Sequence, residues 1–156
     1  QEKFLDFGRF AHKPAAVRFW LTCPGAREMG FDLSKLGPGA FALSYFGKVT
    51  YLERCEALRR VGREIEQEKP ATKRLLVDFS YATSVEEQPG WGEDFMAKVI
   101  AAPEIGDFVV AVVGTPHTDL LKAATQVCAT RGITCRRFNS YSEALGWLRI
   151  AASDSK

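Results

Sequence analysis

Residues 107–114 read Asp-Phe-Val-Val-Ala-Val-Val-Gly, an uninterrupted apolar run between one acidic residue and one glycine. Valine is favoured in strands, and a run without polar alternation is typical of a strand that is covered on both faces. Such strands occur mainly in parallel sheets whose connections are helices. This stretch therefore predicts an α/β fold, with residues 109–113 near the middle of the sheet.

Strand and helix patterns alternate on both sides of this run. Residues 74–81 (RLLVDFSY) and 133–138 (ITCRRF) each predict a further strand. The adjacent Arg136 and Arg137 place the second of these near a sheet edge. Helices are expected at about 51–67, at 91–102, from Thr115 to Gly132, and from 141 to about 150.

Two more strand patterns precede the first helix. They cover residues 31–36 and 40–46, and the turn sequence Gly37-Pro38-Gly39 separates them, which predicts an antiparallel hairpin. The whole order is then β-β-α-β-α-β-α-β-α. It predicts a mixed, mainly parallel five-stranded sheet with an N-terminal β-hairpin and about four helices.

The first helix has a clear start signal. Thr50-Tyr51-Leu52-Glu53 is a capping box, in which the Thr50 hydroxyl accepts from the third helical amide and Glu53 reaches back. The helix is expected to bury one apolar stripe, and its charged residues, Arg54 among them, are expected on the solvent side. The members of the stripe are Leu52, Cys55, Leu58, Gly62 and Ile65.

The composition narrows the class of protein. The chain has 156 residues, of which 46% are hydrophobic and 26% are charged, as is usual for one globular domain. Its 21 basic and 19 acidic residues give a net charge of +2, so no nucleic-acid partner is expected. No window approaches the roughly 18 apolar residues of a membrane span, so no transmembrane segment is expected.

The chain is expected to hold one domain with two flanking segments. Residues 1–29, rich in basic and aromatic side chains, are predicted to form a loosely ordered extension, 30–150 the domain, and 151–156 a polar tail. The four cysteines and two histidines have no ligand spacing, so no metal site is expected. We interpret the thiols as buried apolar groups of a cytoplasmic protein, with a Cys128–Cys135 disulfide as the open alternative.

One candidate site lies where strands are expected to end. In open α/β sheets ligands bind at the carboxyl ends of strands, and free amides at a helix N-terminus attract anions. The alternative is structural, because the same residue types form turns and helix caps. The tentative ligand- or anion-binding residues are Asp78, Ser80, Gly114, Thr115, His117 and Thr118.

The chain resembles the STAS family, and more closely its SpoIIAA-like members. The resemblance covers residues 30–150 and rests on Phe46-Gly47-Lys48-Val49-Thr50, on residues 74–80 and 109–114, and on Phe138 followed by residues 143–148 (EALGWL). It implies a non-enzymatic module without a cofactor, which binds a protein partner, a nucleotide or an apolar, lipid-like ligand.

The resemblance also identifies a second candidate site. In anti-sigma-factor antagonists an Asp-Ser-Ser-Gly turn lies about eight residues after the strand aspartate, and one of its serines accepts phosphate. Counting from Asp78, this chain has Glu86-Glu87-Gln88-Pro89 there, so the switch is predicted to be missing. The tentative partner surface or switch loop consists of Ser84, Glu86, Glu87 and Trp91.

Two functions remain open from the sequence. The first is a regulatory or binding module that contacts a protein partner or a small apolar ligand. The alternative is a small enzyme, or a nucleotide- or anion-binding protein, acting at the strand ends near Asp78 and Thr115. The chain has no GxGxxG, GxxxxGK[ST] or GxSxG motif, so no catalytic residue is assigned and enzyme activity is not favoured.

Overall fold

A computed structural model describes residues 30–102, 107–114, 126, 128–130 and 132–151, with a five-stranded sheet and helices on both of its faces. The strands are β1 (Phe31–Gly37), β2 (Ala40–Val49), β3 (Lys73–Val85), β4 (Phe108–Val113) and β5 (Thr134–Phe138). The complete helices among these residues are α1 (Tyr51–Glu68), α2 (Trp91–Ala101) and α3 (Tyr141–Ala151). Of the helix expected from Thr115 to Gly132, residues 126 and 128–130 are described and are helical. The predicted extension 1–29 and residues 152–156 lie outside the described part.

The strands lie in the sheet in chain order, β1-β2-β3-β4-β5. β1 is antiparallel to β2, and every other pair is parallel, which confirms the predicted mixed sheet with its N-terminal hairpin. β5 is an edge strand with exposed Arg136 and Arg137, as expected. β4 is an interior strand but not the central one. The central strand is β3, because β1 and β2 lie on one side of it and β4 and β5 on the other.

β3 is longer than the sequence predicts. Its pairing with β4 ends at Asp78 opposite Val113, while its pairing with β2 continues to Val49 opposite Val85. The segment 82–85, expected as a loop, is therefore strand, and Ser84 lies opposite Lys48. The register against β2 shifts between Ser44 and Phe46 and again between Gly47 and Lys48, which accommodates the extra length.

The sheet has a core on each face. Along β2, Leu43 and Tyr45 pack with Ala57 of α1, while Ala42 packs with Leu148 of α3 on the other side. Alternate residues of a strand point to opposite faces, so the apolar residues of β2 contribute to both cores. The largest fully buried side chains are Phe41, Phe108, Leu76, Val49, Val61 and Val113.

The buried face of α1 differs from the predicted one. Cys55, Gly62 and Ile65 are buried as expected, but Leu52 is 76% exposed and Arg54 is 2% exposed. At about 100° per residue, the nine residues from Leu52 to the buried Val61 place the two on opposite sides of the helix. The predicted stripe was therefore wrong at its first member, and Arg54 faces the interior.

The cysteines of the described part are free thiols. Cys55 and Cys128 are buried, as predicted, and Cys135 is partly buried. The Cys135 thiol donates a hydrogen bond to the Cys128 sulfur, which lowers the pKa of Cys128 and raises that of Cys135. The last turn of one helix thus contacts the edge strand β5 through two thiols.

Candidate functional site

The structure brings together three residues of the candidate site at the strand ends, namely Asp78, Ser80 and Gly114. Asp78 is 3% exposed, and its Oδ1 accepts a hydrogen bond of 2.8 Å from the Ser80 amide. A side chain at Gly114 would come within 3.3 Å of that same amide nitrogen, so the end of β4 abuts Ser80. Thr115, His117 and Thr118 lie outside the described residues.

Asp78 is not the end of its strand, because β3 continues for seven residues beyond it. Its carboxylate lies on the α3 side of the sheet, where burial and the charge of Asp78 both raise the pKa of Tyr141. The bond to Ser80 lies where the register of β3 against β2 shifts, between Asp78 and Tyr81, and it stabilises this irregularity in the strand. The interpretation of this edge as an anion site stays a prediction.

The second candidate lies where β3 leaves the sheet. The Glu86 amide donates to the Val49 carbonyl at 2.7 Å, and Glu86 Oε2 accepts from the amide of Tyr51 at 3.3 Å. Tyr51 is the first residue of α1, so the Glu86 side chain lies over the N-terminus of that helix. A carboxylate there is stabilised by free amides and by the helix dipole.

Arg54 joins this loop to α1. Its Nη2 donates to the Glu86 carbonyl at 2.9 Å, and its Nη1 lies 3.6 Å from Oε1 of Glu87. The rings of Tyr51 and Phe95 both lie 5.5 Å from the guanidinium carbon, at cation–π distance. We call Tyr51, Arg54, Glu86, Glu87, Trp91 and Phe95 the Arg54 cluster.

Helix α2 is fixed to α1 beside this cluster. The rings of Tyr51 and Trp91 stack at 4.9 Å between centroids. The Tyr51 hydroxyl donates to Asp94, and Lys98 donates to Tyr51 at 3.1 Å and pairs with Asp94. The bonds from Lys98 and Tyr51 lower the pKa of Asp94, and the bond to Asp94 raises that of Lys98.

Of the predicted switch-loop residues, the structure brings together Glu86, Glu87 and Trp91. Ser84 lies apart from them within β3. Arg54 and Phe95 were not predicted as site residues, although the pairing of an arginine with aromatic residues is a common cation–π pattern. The signal was hidden because, apart from Tyr51, the residues around Arg54 are more than thirty positions away in the chain; they are Glu86, Glu87 and Phe95.

One large apolar side chain is exposed next to the cluster, and another is exposed on β3. Leu52 follows Tyr51 in α1, and Tyr81 is 49% exposed and stacks on Phe46 at 5.7 Å. Leu52 thus adjoins the cluster, whereas Tyr81 lies opposite Phe46 in the sheet. Isolated exposed apolar residues are ordinary, so Leu52 is a candidate contact residue because it adjoins an ordered loop.

Two open grooves of about 460 and 560 Å³ run along α1 at a distance from the cluster. Their linings are mainly charged, and Glu56 contacts Arg59, Arg60 and Arg63 there. The first is lined by Leu33, Glu56, Arg60, Arg63, Glu64 and Gln67, and the second by Glu56, Arg59, Arg63 and Glu66. Such linings do not suit an apolar ligand, so the expected lipid-like ligand gains no support from them.

Within the described ranges, no group of three or more His, Cys, Asp or Glu side chains is arranged to hold a metal ion. Among the helices described, none combines the length and the apolar character that crossing a membrane requires.

Comparisons with known proteins address the fold. No family model and no curated protein matches the sequence. The structure of the unphosphorylated anti-sigma factor antagonist SpoIIAA matches with a TM-score of 0.52 and 13% identity, over 76% of this chain and 97% of that one. An uncharacterised protein of the DUF3478 family from Shewanella loihica PV-4, with a SpoIIAA-like fold, matches with a TM-score of 0.52 and 17% identity, over 76% and 91% of the two chains.

These identities are too low to carry residue roles between the proteins, so the likeness concerns architecture. It agrees with the strand order and the N-terminal hairpin described above. The chain therefore has the SpoIIAA-like α/β fold that its sequence motifs predicted.

Proposed function

We propose that this chain is a non-enzymatic binding module, which contacts a protein partner through the surface formed by the Arg54 cluster and Leu52. The observation that carries the proposal is the exposed Leu52, whose neighbour Tyr51 is bonded to the loop that Arg54 holds in place. A surface that is already ordered loses little conformational entropy when it binds, and this favours affinity. Aromatic residues and arginine are also the types that dominate binding energy at protein interfaces.

The titratable groups of this surface support binding rather than catalysis. Tyr51 is bonded to both Asp94 and Lys98, and Glu86 is bonded to the amide of Tyr51. A general acid or base must be able to exchange a proton with a substrate, whereas these groups are hydrogen-bonded to other groups of the protein. The structural relative SpoIIAA is named as the antagonist of an anti-sigma factor, which supports a protein as the class of partner.

Site-specific photo-crosslinking tests the proposal in cells of the natural source. The photoreactive residue p-benzoylphenylalanine replaces Leu52 in one version and Gln67 in the other. Gln67 is an exposed residue near the far end of the same helix, so it controls for expression and non-specific capture. We expect one protein to be crosslinked from position 52 and not from position 67. Equal capture at both positions, or none at 52, would contradict the proposed surface.

Purified components then test the affinity. Leu52→Asp places a charge on the proposed contact and should weaken binding of the captured protein by about tenfold or more, or about 1.4 kcal/mol. Gln67→Asp is the matched control and should leave the affinity unchanged. The free energy of unfolding of each variant, measured with urea, shows whether a loss of affinity reflects the surface or the fold.

A further inference from the structure

Arg54 is one of two charged side chains that are buried in the described part of the chain; the other is Asp78. Asp78 has the Ser80 amide as a partner. By contrast, Nε and Nη1 of Arg54 form no hydrogen bond with any described residue. Leaving donors of a buried charge unpaired costs free energy, so the free chain does not supply all the acceptors that this guanidinium can use.

The surroundings of Arg54 determine where a further acceptor can approach. Tyr51 and Phe95 lie at the guanidinium, and Nη2 is already bonded to the Glu86 carbonyl. Nη1 points to Glu87, whose carboxylate at 3.6 Å is beyond hydrogen-bond distance and whose side chain is 38% exposed. The open approach to Arg54 is therefore the position that Glu87 occupies.

A second source of positive potential lies beside this position. α1 has 18 residues and begins at Tyr51, whose amide reaches Glu86 Oε2 across a long 3.3 Å bond. The acidic residue of the first turn, Glu53, is already bonded to the amides of Thr50 and Gly30. The helix dipole and the guanidinium thus act on the same small region, where an anionic oxygen is stabilised.

We propose that Arg54 and the N-terminus of α1 form an anion-binding site for an acidic side chain of a protein partner, and that Glu87 occupies this site in the free chain. On binding, the carboxylate or phosphate group of the partner displaces Glu87 and accepts hydrogen bonds from Nη1 of Arg54. This inference rests on the proposed function and adds the chemistry of the partner, which presents an anionic group next to an apolar contact for Leu52.

The test uses small anions and needs no partner. Acetate and inorganic phosphate are titrated separately into the wild-type chain, Glu87→Gln and Glu93→Gln, while ¹⁵N NMR follows the Arg54 side chain and the Tyr51 amide. Glu93 is an exposed acidic residue of α2 outside the cluster, so its variant controls for the lost charge. We expect saturable shifts in Glu87→Gln at about tenfold lower anion concentration than in the other two, because the tethered competitor is absent.

The identity of the anion that binds shows whether the partner presents a carboxylate or a phosphorylated side chain. Saturation with acetate assigns a carboxylate side chain, and saturation with phosphate alone assigns a phosphorylated one. If neither anion shifts Arg54 in Glu87→Gln, or if all three proteins respond alike, the inference is wrong. If a protein is crosslinked from position 52 but no anion binds at Arg54, the anion site is wrong and the proposed function stands. If an anion binds but no protein is crosslinked, the proposed function is wrong.

Discussion

At Glu53 a single carboxylate accepts three hydrogen bonds. The donors are the amide of Thr50 at 2.7 Å, the hydroxyl of Thr50 at 2.9 Å and the amide of Gly30 at 3.0 Å. Burial acts to raise the pKa of Glu53, but the bonds from Thr50 and Gly30 outweigh it and hold that pKa below its ordinary value. The residue that closes the predicted capping box therefore also ties the residue before β1 to the start of α1.

Replacing Glu53 by Gln should lower the free energy of unfolding at pH 7 by about 1 kcal/mol, as for other lost caps. A carboxylate with a lowered folded-state pKa contributes stability above its unfolded pKa of about 4.3 and loses it as the pH falls through the folded value. The difference between wild type and variant should thus shrink below about pH 4. Urea unfolding at pH 7, 5 and 3 measures it, with the exposed Glu66→Gln as control. A difference that stays constant with pH would contradict this account.

Among the elements, the β1–β2 hairpin is joined to both α1 and β3 at one glycine. Gly39 has φ +62°, its amide donates to Glu68 at 3.2 Å, and its carbonyl accepts from the Arg74 amide at 2.8 Å. A Cβ there would overlap the carbonyl oxygen of Thr72. The turn that the sequence signalled through Gly37-Pro38-Gly39 is thus also where the end of α1 meets the start of β3.

Gly39→Ala should therefore destabilise the protein by about 3 kcal/mol or more, because left-handed strain adds to a backbone overlap. Gly37→Ala is the matched control in the same hairpin, since nothing lies within 4 Å of its added Cβ. It should cost no more than about 1 kcal/mol. Urea unfolding of both variants checks the difference, and similar losses would show that the contact at Gly39 is not as described.

Helix α1 shows how much of the fold and of the site the sequence could predict. Its cap is a local pattern, so Thr50 and Glu53 were predicted correctly. Its buried face was misassigned at Leu52 and Arg54 because Arg54 is covered by the loop and by α2, which no local pattern reveals. For the same reason the Glu86-Glu87 loop could be predicted as a candidate surface but not as the partner of a buried arginine.

The position of Leu52 on α1 can be tested directly by comparison with Val61, which is 1% exposed. Leu52→Ala should change the free energy of unfolding by no more than about 0.5 kcal/mol. Val61→Ala opens a cavity in the core and should cost about 2 kcal/mol. Urea unfolding of both variants shows which face of α1 is buried. A larger loss of unfolding free energy for Leu52→Ala than for Val61→Ala would mean that Leu52 is buried, as the sequence predicted.

For the molecule as a whole, the extended β3 changes the surroundings of the hydroxyl groups nearest to the switch position. Ser84 pairs with Lys48 and Thr83 precedes it in the same strand, so neither lies at a helix N-terminus. Neither position therefore offers the free amides and the helix dipole that stabilise a phosphate at a helix N-terminus.

We therefore expect no stoichiometric phosphate on Thr83 or Ser84 in the chain purified from its natural source. Intact-mass measurement and phosphopeptide mapping check this, and treatment with a phosphatase provides the control for any added mass. The discovery of a full equivalent of phosphate on either residue would restore a serine- or threonine-based switch and contradict the prediction.

The sheet order, which follows the chain order from β1 to β5, has a consequence for synthesis on the ribosome. Every pairing joins strands that are neighbours along the chain, so no strand has to enter between two that are already paired. When each strand emerges, the strand with which it pairs is already part of the sheet. The entropic cost of adding the new strand is then that of closing one connection. The domain can therefore assemble during translation by growth at a single edge, with the arginine-bearing β5 as the last strand to be added.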